Sequence, residues 1–149
     1  MSRSVPARLV LATRFARRDH LQGAWWPASR DLVLELPPLL AAAGHRLHGI
    51  YGVTLNREEW PDAPLLAQPL PVRSPTINWY GLAEAHLAVL HCVGGMRVTL
   101  LLLPPDTAED VALTAMLMAA TPGNDLSAAE TLTWARDRAA ADAGAVRGA

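Results

Sequence analysis

Two adjacent glycines, Gly94 and Gly95, separate the run His86–Val93 from a second, nearly unbroken apolar run, Met96–Leu103. A glycine pair tolerates the positive φ angles of a tight two-residue turn, so the two runs are expected to pair as a β-hairpin. The second run is nearly all apolar, which predicts a central strand buried on both faces. Pro104 and Pro105 end it. Consecutive strands joined this tightly are antiparallel, and that hairpin constrains the fold more than any other feature of the chain.

The remaining segments are read around it. Leu9–Phe15 has the pattern of a short strand, followed by a loop ending in Gly23-Ala24-Trp25-Trp26-Pro27. Ser29 is a candidate N-cap, with Asp31 in the first turn. Leu32, Leu36, Leu39, Leu40 and Ala43 then form one apolar helical stripe. Pro37 and Pro38 are expected to kink or restart that helix, and Gly44 to close it. Arg46–Leu55 alternates as a strand, Asn56–Pro64 with Trp60 reads as a polar loop, and Pro69, Pro71 and Pro75 confine any strand in 65–78 to an edge. Thr107 with Asp110 resembles a capping box for a helix that ends at Thr121–Asn124. Ser127 with Glu130 caps a last helix to about Ala141, and the residues from Gly144 onward are expected to fray. The expected class is α+β: an antiparallel sheet of about five strands, with an N-terminal connecting helix and two C-terminal helices packed on one face. Residues 1–149 are expected to form a single domain with an ordered core over about 8–142 and a frayed tail at 144–149.

Composition excludes several classes. The chain has 149 residues, is 51% hydrophobic and carries a formal net charge of −1, so wholesale disorder and dedicated nucleic-acid binding are both disfavoured. The average hides a polarity: residues 1–18 hold five arginines and no acid, whereas seven acids and three arginines follow Pro104. All 13 basic residues are arginine, a sign of a high-GC coding sequence. The lone Cys92 offers no internal disulfide, and no apolar run reaches the roughly 18 residues of a membrane helix, so the cytoplasm is the expected location.

No catalytic constellation is visible. His45, His48, His86 and His91 lack zinc-type spacing, so no metal is expected. Cys92 lies inside an apolar strand, Ser29 has no G-x-S-x-G context, and no phosphate loop is present, so neither a catalytic residue nor a cofactor is assigned. Asp31 and Glu35 stand at i, i+4, where a solvated helix face is the plainer reading of the pair. Trp25-Trp26 is the most unusual local feature, because two adjacent tryptophans do not easily enter one core. One is expected to plug it, and the other to stay partly exposed or to staple the loop to the sheet. Arg30 and Asp31 lie close by in sequence, and Asn56, Trp60, Trp79 and His86 could join them only if the fold brings them together.

Gly23-Ala24-Trp25-Trp26-Pro27, Ser29-Arg30-Asp31-Leu32 and Glu35-Leu36-Pro37 resemble the signature of a small actinobacterial domain family of unknown function. The stretch Leu101–Thr107, with the Ala-rich helix ending near Pro122-Gly123-Asn124, is similar to that family's C-terminal half, and Trp60 and His86 fall where its members tend to have Trp and His. The resemblance covers roughly residues 8–125. Gln22 stands where an acid is often seen, and Ala28 where a basic residue is. The family brings no activity, cofactor or catalytic residue.

The function expected from these readings is a non-catalytic binding or regulatory module, with a protein partner or a second copy of the chain as its target. The alternative is a small-molecule-binding protein or enzyme with a pocket beside Trp25, Trp26, Arg30 and Asp31, and His86 as its acid–base group. A weaker alternative is a nucleic-acid accessory protein using the arginine-rich N-terminus.

Overall fold

In a computed structural model the fold is described for residues 7–13, 21–60, 76–80 and 86–147. Six strands form one sheet: β1 (Arg8–Leu11), β2 (Gly23–Trp26), β3 (Ile50–Asn56), β4 (Thr76–Tyr80), β5 (Leu87–Cys92) and β6 (Met96–Leu102). Three helices accompany them: α1 (Leu32–Ala43), α2 (Glu109–Ala119) and α3 (Ala128–Arg147). The sheet order is β1-β2-β6-β5-β3-β4.

The hairpin is β5–β6, antiparallel with Cys92 opposite Met96, so three residues (Val93, Gly94, Gly95) make the turn. Gly94 and Gly95 adopt φ of 83° and 78°, which glycine reaches without a Cβ penalty. β6 is central, and Val98 and every residue from Leu100 to Leu103 are buried.

The class is α+β, but the sheet is mixed and six-stranded, where an antiparallel sheet of about five was expected. The segment Gly23–Trp26, read as loop, is a strand. It runs parallel to β6, with Ala24 opposite Leu101 and Trp25 opposite Leu102, while β3 and β4 are also parallel. The reason is connectivity. β2 and β3 are joined through a helix, which lets them run the same way, and the β5–β6 hairpin inserts between them.

The helices also divide between the two faces, correcting the expectation that they share one. On one face α1 sets Leu32, Leu36, Leu39 and Ala43 against Val53, Leu55, Leu90, Val98 and Leu100. On the other, Ala112, Ala115 and Met116 of α2 and Ala128, Leu132 and Ala135 of α3 cover Ala24, Trp26, Leu101 and Leu103. Strand periodicity allows this, because successive side chains of β2 and β6 leave on opposite faces. Trp25 and Trp26 are therefore both buried, 1% and 8% exposed, in two different cores.

Local chemistry departs from expectation at several ends. Asp31, not Ser29, is the N-cap of α1, its carboxylate accepting from the Val33 N–H at 3.1 Å. Pro37 and Pro38 lie inside α1, which continues as one element. The carbonyls they leave without a helical donor belong to Val33 and Leu34, both exposed, so water meets them. Gly44 caps the helix in the right-handed conformation. The N-cap of α2 is Ala108; Thr107 Oγ donates instead to the Pro104 carbonyl at 2.7 Å. The capping box of α3 forms as expected: Ser127 Oγ accepts from Glu130 N–H at 3.1 Å and Glu130 Oε1 from Ser127 N–H at 3.0 Å. α3 continues to Arg147, past the end expected near Ala141.

Arg8 is the one arginine of residues 1–18 among those described. Its Nε donates to the Trp26 carbonyl and its Nη2 to the Pro27 carbonyl, both at 2.8 Å, and its guanidinium lies 3.6 Å from the Trp26 ring centroid. Its chemistry is spent on closing the edge of the sheet. The proline-rich segment 61–75 lies outside the described residues, as do Arg3, Arg14, Arg17 and Arg18. Among the described residues no helix is long and apolar enough to cross a membrane.

Candidate functional site

β2, β6 and β3 run in one direction, so their carboxyl ends meet at one edge of the sheet, where β5 begins. From there β2 leads to α1 on one face and β6 leads to α2 on the other. Adjacent parallel strands whose chains depart to opposite faces leave a crevice between them, the place where open α/β sheets accommodate ligands.

A cavity of about 60 Å³ occupies this position, and its walls include Pro27, Arg30, Glu59, Trp60, His86 and Pro104. Each wall has a local reason. Ser29 accepts from Asp31 N–H and donates to Glu35, which also accepts from Ala28 N–H, so residues 28–31 are folded back on the first turn of α1. After β3, Asn56 Oδ1 accepts from Glu58 N–H at 3.0 Å and caps the single 3-10 turn Arg57–Glu59. That turn delivers Trp60 to the core, where it stacks on Trp25 with centroids 5.4 Å apart. Trp60 is 1% exposed, which overturns its reading as part of a polar loop.

His86 takes a left-handed backbone conformation, φ 67°, which costs a non-glycine residue on the order of 1 kcal/mol or more. Two bonds hold it there: its N–H donates to Glu59 Oε1, and its carbonyl accepts from Leu102 N–H at 2.8 Å. Burial lowers the imidazole pKa from its ordinary 6.5, with Arg136 and Arg30 adding to the fall and the Leu102 backbone opposing it. Burial raises the Glu59 carboxyl, against the pull of the His86 N–H and Arg30. Two polar atoms are left over. Trp60 Nε1 and His86 Nδ1 are both buried and have no hydrogen-bond partner.

Of the residues singled out from sequence, Arg30 and His86 line this cavity. Trp25 supports it from behind by stacking on Trp60. Trp26 faces the opposite core, its Nε1 donating to the Pro104 carbonyl at 3.1 Å. Asp31 is committed to capping α1. Trp60, offered by the sequence only on condition that the fold brought it there, also lines the cavity, and so does Glu59, which nothing in the sequence singles out because it is one acid among several in its stretch. Among the described residues, no three His, Cys, Asp or Glu side chains converge as a metal ion needs. Cys92 is buried in the α1-side core and burial raises its thiol pKa, which disfavours the nucleophilic thiolate.

The fold is α+β, with a small internal cavity at the carboxyl edge of its parallel strands. The chain belongs to a family of unknown function (DUF5994), whose model matches residues 8–119. That span takes in every residue lining the cavity and stops at the end of α2. No curated protein and no solved structure matches the chain.

Proposed function

We propose that the chain is a small-molecule-binding module, and that the cavity between the ends of β2 and β6 receives a ligand group bearing a hydrogen-bond acceptor. One observation carries this reading: two buried polar atoms, Trp60 Nε1 and His86 Nδ1, stand without partners on residues that line the same cavity. An unsatisfied buried polar group costs about 1–3 kcal/mol, and strained backbone at His86 adds to the cost. Such costs gather at sites whose partners arrive from outside. The indole N–H is a donor only, so its partner must offer an oxygen or nitrogen lone pair. Apolar walls from Pro27, Leu102, Leu103 and Pro104 suit a ligand with few other polar atoms.

The test is a titration of the 15N-labelled full chain with acetamide, whose volume suits the cavity. The chain has five tryptophans, and Trp60→Phe assigns the Trp60 indole cross-peak by its loss. That cross-peak is expected to move saturably while the other indoles stay in place. A Trp60 indole that is indifferent to acetamide, acetate and phosphate alike overturns the reading.

A further inference from the structure

The small cavity adjoins a wider cleft of about 410 Å³, whose walls include Asp106, Thr107, Ala108 and Arg136. Arg30 and Pro104 line both. Arg30 faces two ways: its Nη1 donates to the Glu59 carbonyl at 3.3 Å, and its Nη2 lies 3.9 Å from Asp106 Oδ1. The contact with Asp106 is a single long one to a side chain 86% exposed, so it holds Arg30 only weakly. Arg136 reaches the cleft from α3, and its charge is felt at the His86 ring. Among the described residues no carboxylate lies within 4.0 Å of Arg136. The cleft also takes in the start of α2, whose first turn carries Glu109 and Asp110, the latter already accepting from the Val111 N–H at 2.9 Å, so the anion's place is on the arginine side. Two arginines thus line a cleft beside a cavity walled by Trp60, whose buried indole N–H has no partner.

Resting on the pocket reading above, we propose that the ligand is a small organic oxyanion. Its charged group sits between Arg30 and Arg136 in the outer cleft, and its uncharged acceptor enters the inner cavity. Guanidinium forks match the paired oxygens of a carboxylate or a phosphate. Asp106 is then a built-in competitor, a carboxylate of the chain itself resting where the ligand's anion belongs.

The experiment titrates the labelled full chain with acetate, with inorganic phosphate and, at matched ionic strength, with chloride. Arginine Nε–H cross-peaks report on the outer cleft, and the Trp60 indole reports on the inner cavity. Acetate or phosphate is expected to shift the Arg30 and Arg136 signals saturably. Affinity is expected to fall five-fold or more in Arg136→Gln and to rise severalfold in Asp106→Asn; both sites are on the surface, so the fold tolerates the changes. Acetamide binding at Trp60 is expected to be unchanged in both variants. Tighter binding of phosphate marks a phosphate ester as the ligand, and tighter binding of acetate marks a carboxylic acid. If neither anion exceeds chloride, the oxyanion inference falls, and acetamide at Trp60 then decides separately whether the cavity reading stands.

Discussion

Trp60→Phe separates the energetic cost of the site from the packing around it. The substitution keeps an aromatic ring against Trp25, where the indoles now stack at 22° between planes, and deletes the Nε1–H that has no acceptor. Shrinking indole to benzene gives up on the order of 50 Å² of buried surface, about 1 kcal/mol at 25 cal/mol per Å². Incomplete collapse around the smaller ring adds about as much again. Removing an unsatisfied buried N–H returns roughly 1–3 kcal/mol. The net change is therefore expected within about 1 kcal/mol of zero. Trp26→Phe is the control. It forfeits similar surface but deletes an N–H that donates to the Pro104 carbonyl at 3.1 Å, and about 3 kcal/mol should be lost. Urea denaturation followed by far-UV circular dichroism measures both. Equal losses in the two variants would refute the reasoning, since they would mean that the Trp60 N–H is satisfied in the free protein.

Gly23→Ala should be among the most damaging single changes, because a Cβ there falls 2.2 Å from the Val10 carbonyl oxygen of the neighbouring strand at φ +155°. A loss of more than about 3 kcal/mol in the same denaturation assay is expected, and a near-neutral result would show that β1 does not hold its register. Acidification should destabilise through His86 and His91, whose folded pKa values lie below the ordinary 6.5, in both cases chiefly through burial. Their contribution is complete above pH 6.5 and is lost as the pH falls through the folded values, so the urea midpoint should drop between pH 7.5 and pH 5 and drop less in His91→Gln. An unchanged midpoint contradicts that assignment. Ser127→Ala removes the side-chain acceptor at the start of α3 and is expected to cost about 1 kcal/mol by thermal unfolding; no change would show that the cap is idle.

What sequence reading could reach was set by distance along the chain. The β5–β6 hairpin and the Ser127–Glu130 cap each depend on residues a few positions apart, and both are legible. So is the stripe of α1, though its two prolines pointed to a break that solvation of Val33 and Leu34 makes unnecessary. The parallel union of β2 with β6 is different. It is tied by Thr99 N–H to Gln22 Oε1, across 77 positions, and the four residues of β2 show no alternation that would mark them as a strand. Missing that strand left one core for Trp25 and Trp26 to share, so that one was expected at the surface or in the loop, when a sheet runs between their rings. The site suffers from the same remoteness. Arg30 and His86 attract notice by residue type, but Glu59 and Trp60 gain their meaning only from the 3-10 turn that carries them under the crevice.

The crevice has a consequence for how the protein acquires its site. Its walls come from residues 27–30, from 59–60, from His86 and from the segment after β6, so no contiguous piece of chain contains it. The hairpin can close early on local contacts, whereas β2 must wait for β6 before it has a parallel neighbour. The cavity is thus completed only when the most distant partners in the sheet have met. A ligand bound there recognises the finished chain and not its intermediates, and it stabilises the native state by mass action alone. Any group that fits the crevice would therefore stabilise only chains in which β2 has met β6.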